Sequence, residues 1–226
     1  MQIQENYLSP EQFENFLVNL KVITANSYKA SFEDLNICTR IQYGCGLRIS
    51  EAIGLTPNDF DLDNLILTLN NTKTGFKKCS CAKFKDKKLI EVNPNCIKCN
   101  GIGKKRIPQF TTILPSDILM LREYLSKKRQ NKTLFDFNRV TVWRYYKKAG
   151  KNAGLSIREQ QDERSIEGVW THLLRKSRAK LMQKLGASNE LISLKLRHKF
   201  TTTERYTRPD IVTLKHFEQK HFGGLQ

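Results

Sequence analysis

Three short stretches of this sequence carry side chains that suit a phosphodiester. The first is Gly44-Cys45-Gly46-Leu47-Arg48-Ile49-Ser50-Glu51, the second Thr171-His172-Leu173-Leu174-Arg175, and the third Leu196-Arg197-His198, followed eight residues on by Tyr206. His172 and Arg175 are spaced i and i+3, so on a helix they share a face and can meet one ligand. Guanidinium groups fork onto non-bridging phosphate oxygens, imidazoles donate or move protons, and a phenol can attack. Taken singly, Arg48 reads as a surface arginine, Tyr206 as a half-buried aromatic, and His172 and His198 as structural histidines. Taken together, in a basic chain, they read as a reaction centre.

A second group of residues suits a metal. Cys79-x-Cys81 and Cys96-x-x-Cys99 are separated by fourteen residues in a lysine-rich stretch with few apolar side chains. Such a stretch cannot build a core. Four thiolates in two close pairs can surround one tetrahedral zinc and order it instead. Two disulfides are the alternative, and they require an oxidising compartment. Asn100-Gly101 directly after the second pair suits the turn of a zinc knuckle. Cys38 and Cys45 stand in an apolar helical stretch and read as small buried hydrophobes.

The elements that must position these residues follow from local pattern. Ser9-Pro10-Glu11-Gln12 opens a helix with a capping box, and Phe13, Phe16, Leu17 and Leu20 give it one apolar stripe. Further helices are expected over about 28–43, broken by Gly44 and Gly46, and over 48–53, 115–128, 139–154, 171–186 (closed by Gly186) and 189–197. Strands are expected at 65–69 and 106–114, so the cysteine stretch, residues 77–105, becomes an insertion between two strands. Residues 160–164 read as a polar loop. A short helical turn is expected to end near Tyr206, with a tail from Pro209 in which Leu214 and Phe217 form a small apolar stripe. The sum is a mainly α protein with a small antiparallel β-sheet, an α+β fold class.

The chain has 226 residues, 39 Lys+Arg against 22 Asp+Glu, and a formal net charge of +17. The excess is spread along the chain rather than confined to a tail, as expected for a groove that tracks phosphates. Ordinary hydrophobic (39%) and charged (27%) fractions exclude wholesale disorder. No apolar run approaches the roughly 20 residues of a membrane span. The start shows no basic segment followed by an apolar one, so a cytoplasmic protein with no membrane partner is expected. A basic membrane-surface helix would need a bulky apolar stripe that the pattern does not offer.

In combination the motifs G-L-R-x-S-E, H-x-x-R, and L-x-H with a downstream tyrosine resemble the tyrosine recombinases, the phage-integrase family. The resemblance covers residues 1–226 as that family's catalytic domain, with the inserted cysteine module at 77–105 and no N-terminal core-binding domain ahead of it. It implies a tyrosine-recombinase fold and a site-specific DNA strand transferase. Arg48 and Arg175 would clamp the scissile phosphate, and His172 and His198 would assist proton transfer and donate to a phosphate oxygen. Tyr206 would be the nucleophile, forming a 3′-phosphotyrosyl bond. The family's leaving-group acid is a lysine on a hairpin, and Lys73 is the choice here, with Lys77 the competitor. Glu51 would support the site. The resemblance further implies double-stranded DNA as partner, a homo-tetramer during strand exchange and no cofactor for the chemistry; the cysteines add one structural zinc. An accessory DNA-binding protein, or the insert itself, would replace the missing N-terminal clamp. Arg197 departs from the pattern, standing where the family usually has glycine, and the His198–Tyr206 spacing is one residue short. A non-catalytic zinc-stabilised DNA-binding protein on the same fold, and a type IB topoisomerase-like relaxing enzyme, are the alternatives.

Overall fold

A computed structural model describes residues 7–25, 27–70, 76–85, 88–155, 158–161, 164–197 and 211–223. Lys73, His198 and Tyr206, and the turn expected before Tyr206, lie outside the described residues.

Helix α1 (Pro10–Thr24) starts as its sequence dictates. The Ser9 hydroxyl accepts from the Gln12 amide while the Gln12 side chain accepts from the Ser9 amide. Its stripe of Phe13, Phe16, Leu17 and Leu20 is buried, and full burial of each such side chain stabilises by about 1.5–3 kcal/mol. The stripe packs on α2 (Phe32–Cys45) and α5 (Arg139–Asn152). Phe13 stacks on Tyr43 at 3.9 Å and Phe16 meets Tyr146 edge-on at 5.4 Å. Cys38 and Cys45 are fully buried in this core, as small hydrophobes should be. Gly44 does not break α2; the helix runs through it and ends at Gly46, which adopts a left-handed φ of +63°.

The short helix α3 (Ile49–Ala52) follows, then a three-stranded antiparallel sheet with order β1-β2-β7. Its strands are β1 (Phe60–Asp61), β2 (Ile66–Leu69) and β7 (Gln109–Thr112). Between β2 and β7 the chain runs out as a ribbon, β3 (Phe76–Lys78) paired with β6 (Lys104–Arg106), which carries the hairpin β4 (Ala82–Lys85)–β5 (Lys88–Val92). Two strand pairs thus lie between β2 and β7 that the charged sequence did not announce. Helix α4 (Ile118–Ser126) follows a 3₁₀ turn over Pro115–Asp117.

Residues expected to form a polar loop instead pair as an antiparallel hairpin, β8 (Arg158–Gln161) with β9 (Arg164–Glu167). Backbone pairing between two short strands needs no apolar alternation, which is why the pattern missed it. Helices α6 (Thr171–Lys184) and α7 (Asn189–Leu196) fall where expected, α7 capped by Ser188. The expected tail is a further helix, α8 (Ile211–Phe222), docked on α7 and β7. No helix among the described residues is long and apolar enough to cross a membrane.

Candidate active site

Three elements, the start of α3, α6 and the end of α7, bring arginines to one carboxylate. Glu51 caps α3, its Oε2 accepting from the Arg48 amide at 2.8 Å and its Oε1 from Arg48 Nη1 at 2.7 Å. The same Oε2 accepts from Arg197 Nη2 at 2.8 Å and lies 3.9 Å from Arg175 Nη1. Arg175 is held further by the carbonyls of Gly46, at 2.6 Å from Nη1, and of Leu196. Arg197 reaches the carbonyls of Lys195 at 2.9 Å and Gly46 at 3.3 Å. Gly46 is required here twice over. Its φ is positive, and a Cβ would fall 2.8 Å from Leu196 Cδ2.

Three arginines share one carboxylate, leaving positive charge uncompensated in a partly water-excluded site. Burial alone would raise the Glu51 carboxyl; the Arg197 charge and the Arg48 hydrogen bonds outweigh it and hold it below the usual carboxylate range. Burial, then the like charges of Arg197 and Arg48, push Arg175 down to about 9, so it remains a cation at neutral pH. Burial also lowers Arg197, with Glu51 opposing. The side-chain exposures set roles apart: 22% for Arg48, 6% for Arg175 and 3% for Arg197. Arg48 offers most to an incoming anion. Arg197 is committed to the scaffold.

His172 is exposed in the first turn of α6, one turn before Arg175. The structure thus brings Arg48 and Arg175 together with Glu51, and places His172 on the same helix as Arg175. Arg197 was not anticipated as part of this cluster. Its φ of +54° shows why the position favours glycine, and the side chain turns that strained corner into a third anchor for Glu51. A charged residue closing a helix directly before His198 was the signal.

The cysteines converge as well. The Sγ atoms of Cys79, Cys81, Cys96 and Cys99 lie within 4.8 Å of one another. Cys79–Cys96 and Cys81–Cys99 are 3.8 and 3.4 Å apart, too long for disulfides. Zinc with thiolates at about 2.3 Å has tetrahedral edges of about 3.8 Å, so the quartet fits that ion. Cys99 Sγ also accepts from the Gly103 amide at 3.3 Å, and Asn100, Gly101 and Gly103 all have positive φ, as a tight knuckle requires. Hydrogen bonds from Cys81 lower the Cys79 thiol to about 7, while burial and the neighbouring sulfurs lift Cys81 to about 12. Around the quartet Lys77, Lys78, Lys83, Lys85, Lys88, Lys98, Lys104 and Lys105 are exposed. Only Glu91 among the described acidic groups of the insert answers them, pairing with Lys83 at 2.8 Å.

Comparison with known proteins gives the chain's family and fold. The model of the phage integrase family matches residues 6–211. Tyrosine recombinase XerA of Saccharolobus solfataricus is 27% identical over 169 residues, which are 74% of this chain and 43% of that protein. The chain thus spans less than half the length of that relative. The crystal structure of XerA recombinase superposes with a TM-score of 0.56 at 18% identity, covering 98% of this chain and 66% of that one. XerH site-specific recombinase bound to its difH substrate, in a pre-cleavage complex, gives a TM-score of 0.54 at 19% identity, covering 96% of this chain and 54% of that one.

Proposed function

Because this chain belongs to the phage integrase family, we propose that it cuts and rejoins double-stranded DNA at specific sites through a covalent 3′-phosphotyrosyl intermediate. The observation that supports this most directly is the convergence of Arg48 and Arg175 on one buried carboxylate with positive charge in excess. Tyr206 Oη attacks the scissile phosphorus, and the 5′-oxygen leaves with a proton. Arg48 and Arg175 stabilise the charge that grows on the non-bridging oxygens. His172 assists proton transfer at the tyrosine and His198 donates to a phosphate oxygen. The new ester keeps the energy of the broken one, so rejoining is attack by a 5′-hydroxyl and no cofactor takes part. Strand exchange between two sites calls for four copies of the chain on DNA, with or without an accessory DNA-binding protein. Trapping the protein on a nicked suicide substrate tests the reading: a denaturant-resistant adduct is expected, and its absence with intact, DNA-bound protein would overturn it.

Lys73 is assigned the leaving-group proton, with exposed Lys77 on β3 as the competitor. A substrate with sulfur in place of the 5′-bridging oxygen has a leaving group that needs no proton. It is expected to restore cleavage to Lys73→Ala. Restoration of a defective Lys77→Ala instead would transfer the role.

Cys79, Cys81, Cys96 and Cys99 would hold one zinc with every coordination position closed by thiolate, so the ion supplies local folding and no chemistry. The ordered insert presents its lysines to the DNA backbone, adding affinity without reading sequence. Metal analysis under reducing conditions is expected to find about one zinc per chain. Chelation should raise the dissociation constant for DNA while the helical body stays folded; an apoprotein with unchanged affinity would separate the insert from DNA binding.

A further inference from the structure

Behind the arginine centre lies a second buried charge cluster that the scheme above does not use. Glu218 on α8 is 1% exposed, and Arg178 and Lys195 are fully buried. Glu218 Oε1 accepts from Arg178 Nη2 at 2.5 Å and from Lys195 Nζ at 2.6 Å, and its Oε2 accepts from the Thr112 hydroxyl. Lys195 also donates to the Thr112 carbonyl at 2.9 Å. The guanidinium of Arg178 stacks 3.9 Å from the Phe222 ring.

The addresses of these partners matter. Arg178 stands one turn after Arg175 on α6, Lys195 two residues before Arg197 at the end of α7, and Thr112 ends β7. One carboxylate from α8 therefore joins three elements that frame the arginine centre. The apolar hold on α8 is modest: Leu214 and Phe217 pack with Met182, Ala187 and the partly buried Leu191, Ile192 and Leu194, and Phe222 lies on Arg178. A greasy contact of that size tolerates sliding, whereas an ion cluster with fixed geometry has one register. Burial works to raise the Glu218 carboxyl, and Lys195 and Arg178 hold it below the ordinary range.

We infer that Glu218 is a positioning residue, locking α8 in register on the body that holds Arg48 and Arg175 and so setting where the tyrosine ahead of α8 is delivered. The inference rests on the proposed strand-transfer chemistry. Tyr206 stands five residues before Ile211, a length of chain that spans at most roughly 17 Å. Where α8 docks thus bounds where the phenol can reach. Glu218→Gln leaves two buried cations without their counter-charge, and α8 loses its register. Lys195→Met in the same chain removes one of those cations and relieves the charge imbalance without rebuilding the lock.

Two reactions separate delivery of the tyrosine from integrity of the arginine centre. The first is adduct formation on suicide DNA at saturating protein. The second is joining of a DNA end bearing a 3′-p-nitrophenyl phosphate: a 5′-hydroxyl attacks the phosphorus, p-nitrophenolate leaves, the proton goes to solvent, and a phosphodiester forms. That joining needs the arginines and not Tyr206. In Glu218→Gln the adduct rate should fall by on the order of 10²-fold, the cost of a small misplacement of a reacting group. DNA affinity and joining of the activated end should stay within a few fold, and adding Lys195→Met should raise thermal stability but leave the adduct rate low. Wild-type adduct formation by Glu218→Gln, or equal loss of both reactions, would overturn the inference. Should the wild-type chain itself form no adduct, the proposed function fails, and the lock is read by hydrogen exchange. Amides of 211–223 should then lose protection in Glu218→Gln, and unchanged protection there would overturn it.

Discussion

Replacing Tyr206 by phenylalanine should abolish the covalent protein–DNA adduct while leaving DNA affinity within a few fold. The substitution removes one oxygen and keeps the ring, so whatever packing the ring has is retained. The buried phenols are poorly placed to inherit the role. Tyr43 lies in the core against Phe13, and burial pushes its hydroxyl up to about 12. Tyr146 is fully buried and hydrogen-bonded to Thr39 and Gln42. Denaturing electrophoresis of protein mixed with end-labelled suicide DNA measures the adduct, and filter binding of the same mixture measures affinity. An adduct that persists in Tyr206→Phe would remove Tyr206 from the reaction.

Arg48→Lys should lower the single-turnover cleavage rate by roughly 10²–10³-fold with little change in DNA affinity. Lysine keeps the charge but loses the planar fork that reaches a phosphate oxygen and a carboxylate together. In the protein one arm of Arg48 already bonds Glu51 at 2.7 Å, and the side chain is still 22% exposed, so other donors face outward. Binding would be carried by the many lysines spread along the chain and should depend little on one arginine. Arg175→Lys is a harsher change. It removes donors from the buried carbonyls of Leu196 and Gly46; Gly46 keeps its bond from Arg197, while an unsatisfied buried acceptor at Leu196 costs about 1–3 kcal/mol. Arg48→Lys is therefore the cleaner test. Cleavage at the wild-type rate would place Arg48 outside the site.

Legibility differed by kind of signal. The longer helices were readable from apolar positions at helical spacing, and α1, α2, α5 and α7 also from a capping residue, as Ser9 with Gln12 and Ser188 show. The arginines were readable because their neighbours form a recognisable pattern. The quartet was readable because closely paired cysteines in a stretch too polar to form a core must be ordered by a ligand or a cross-link. Helix α8 was not read. Its anchor is Glu218, and a carboxylate on an amphipathic stretch looks solvated until Arg178 and Lys195 are seen around it. Arg197 was noticed only as a departure from glycine. Its role as a third anchor depends on Glu51, 146 residues away, and no local window contains both. The pairing of β8 with β9 escaped because backbone hydrogen bonds leave no mark in hydropathy.

The arginine centre also has an order of birth. Glu51 and Arg197 are separated by 146 residues, and ribosomes add about 5–20 residues per second. On the order of ten seconds therefore pass between the synthesis of the carboxylate and that of its last cation. The basic ribbon, residues 77–105, is finished well inside that interval. On the proposed chemistry, a chain that ends before α6 would carry the basic ribbon but lack Arg175, Arg197 and Tyr206, so it would have charge to meet a polyanion and no means to break one.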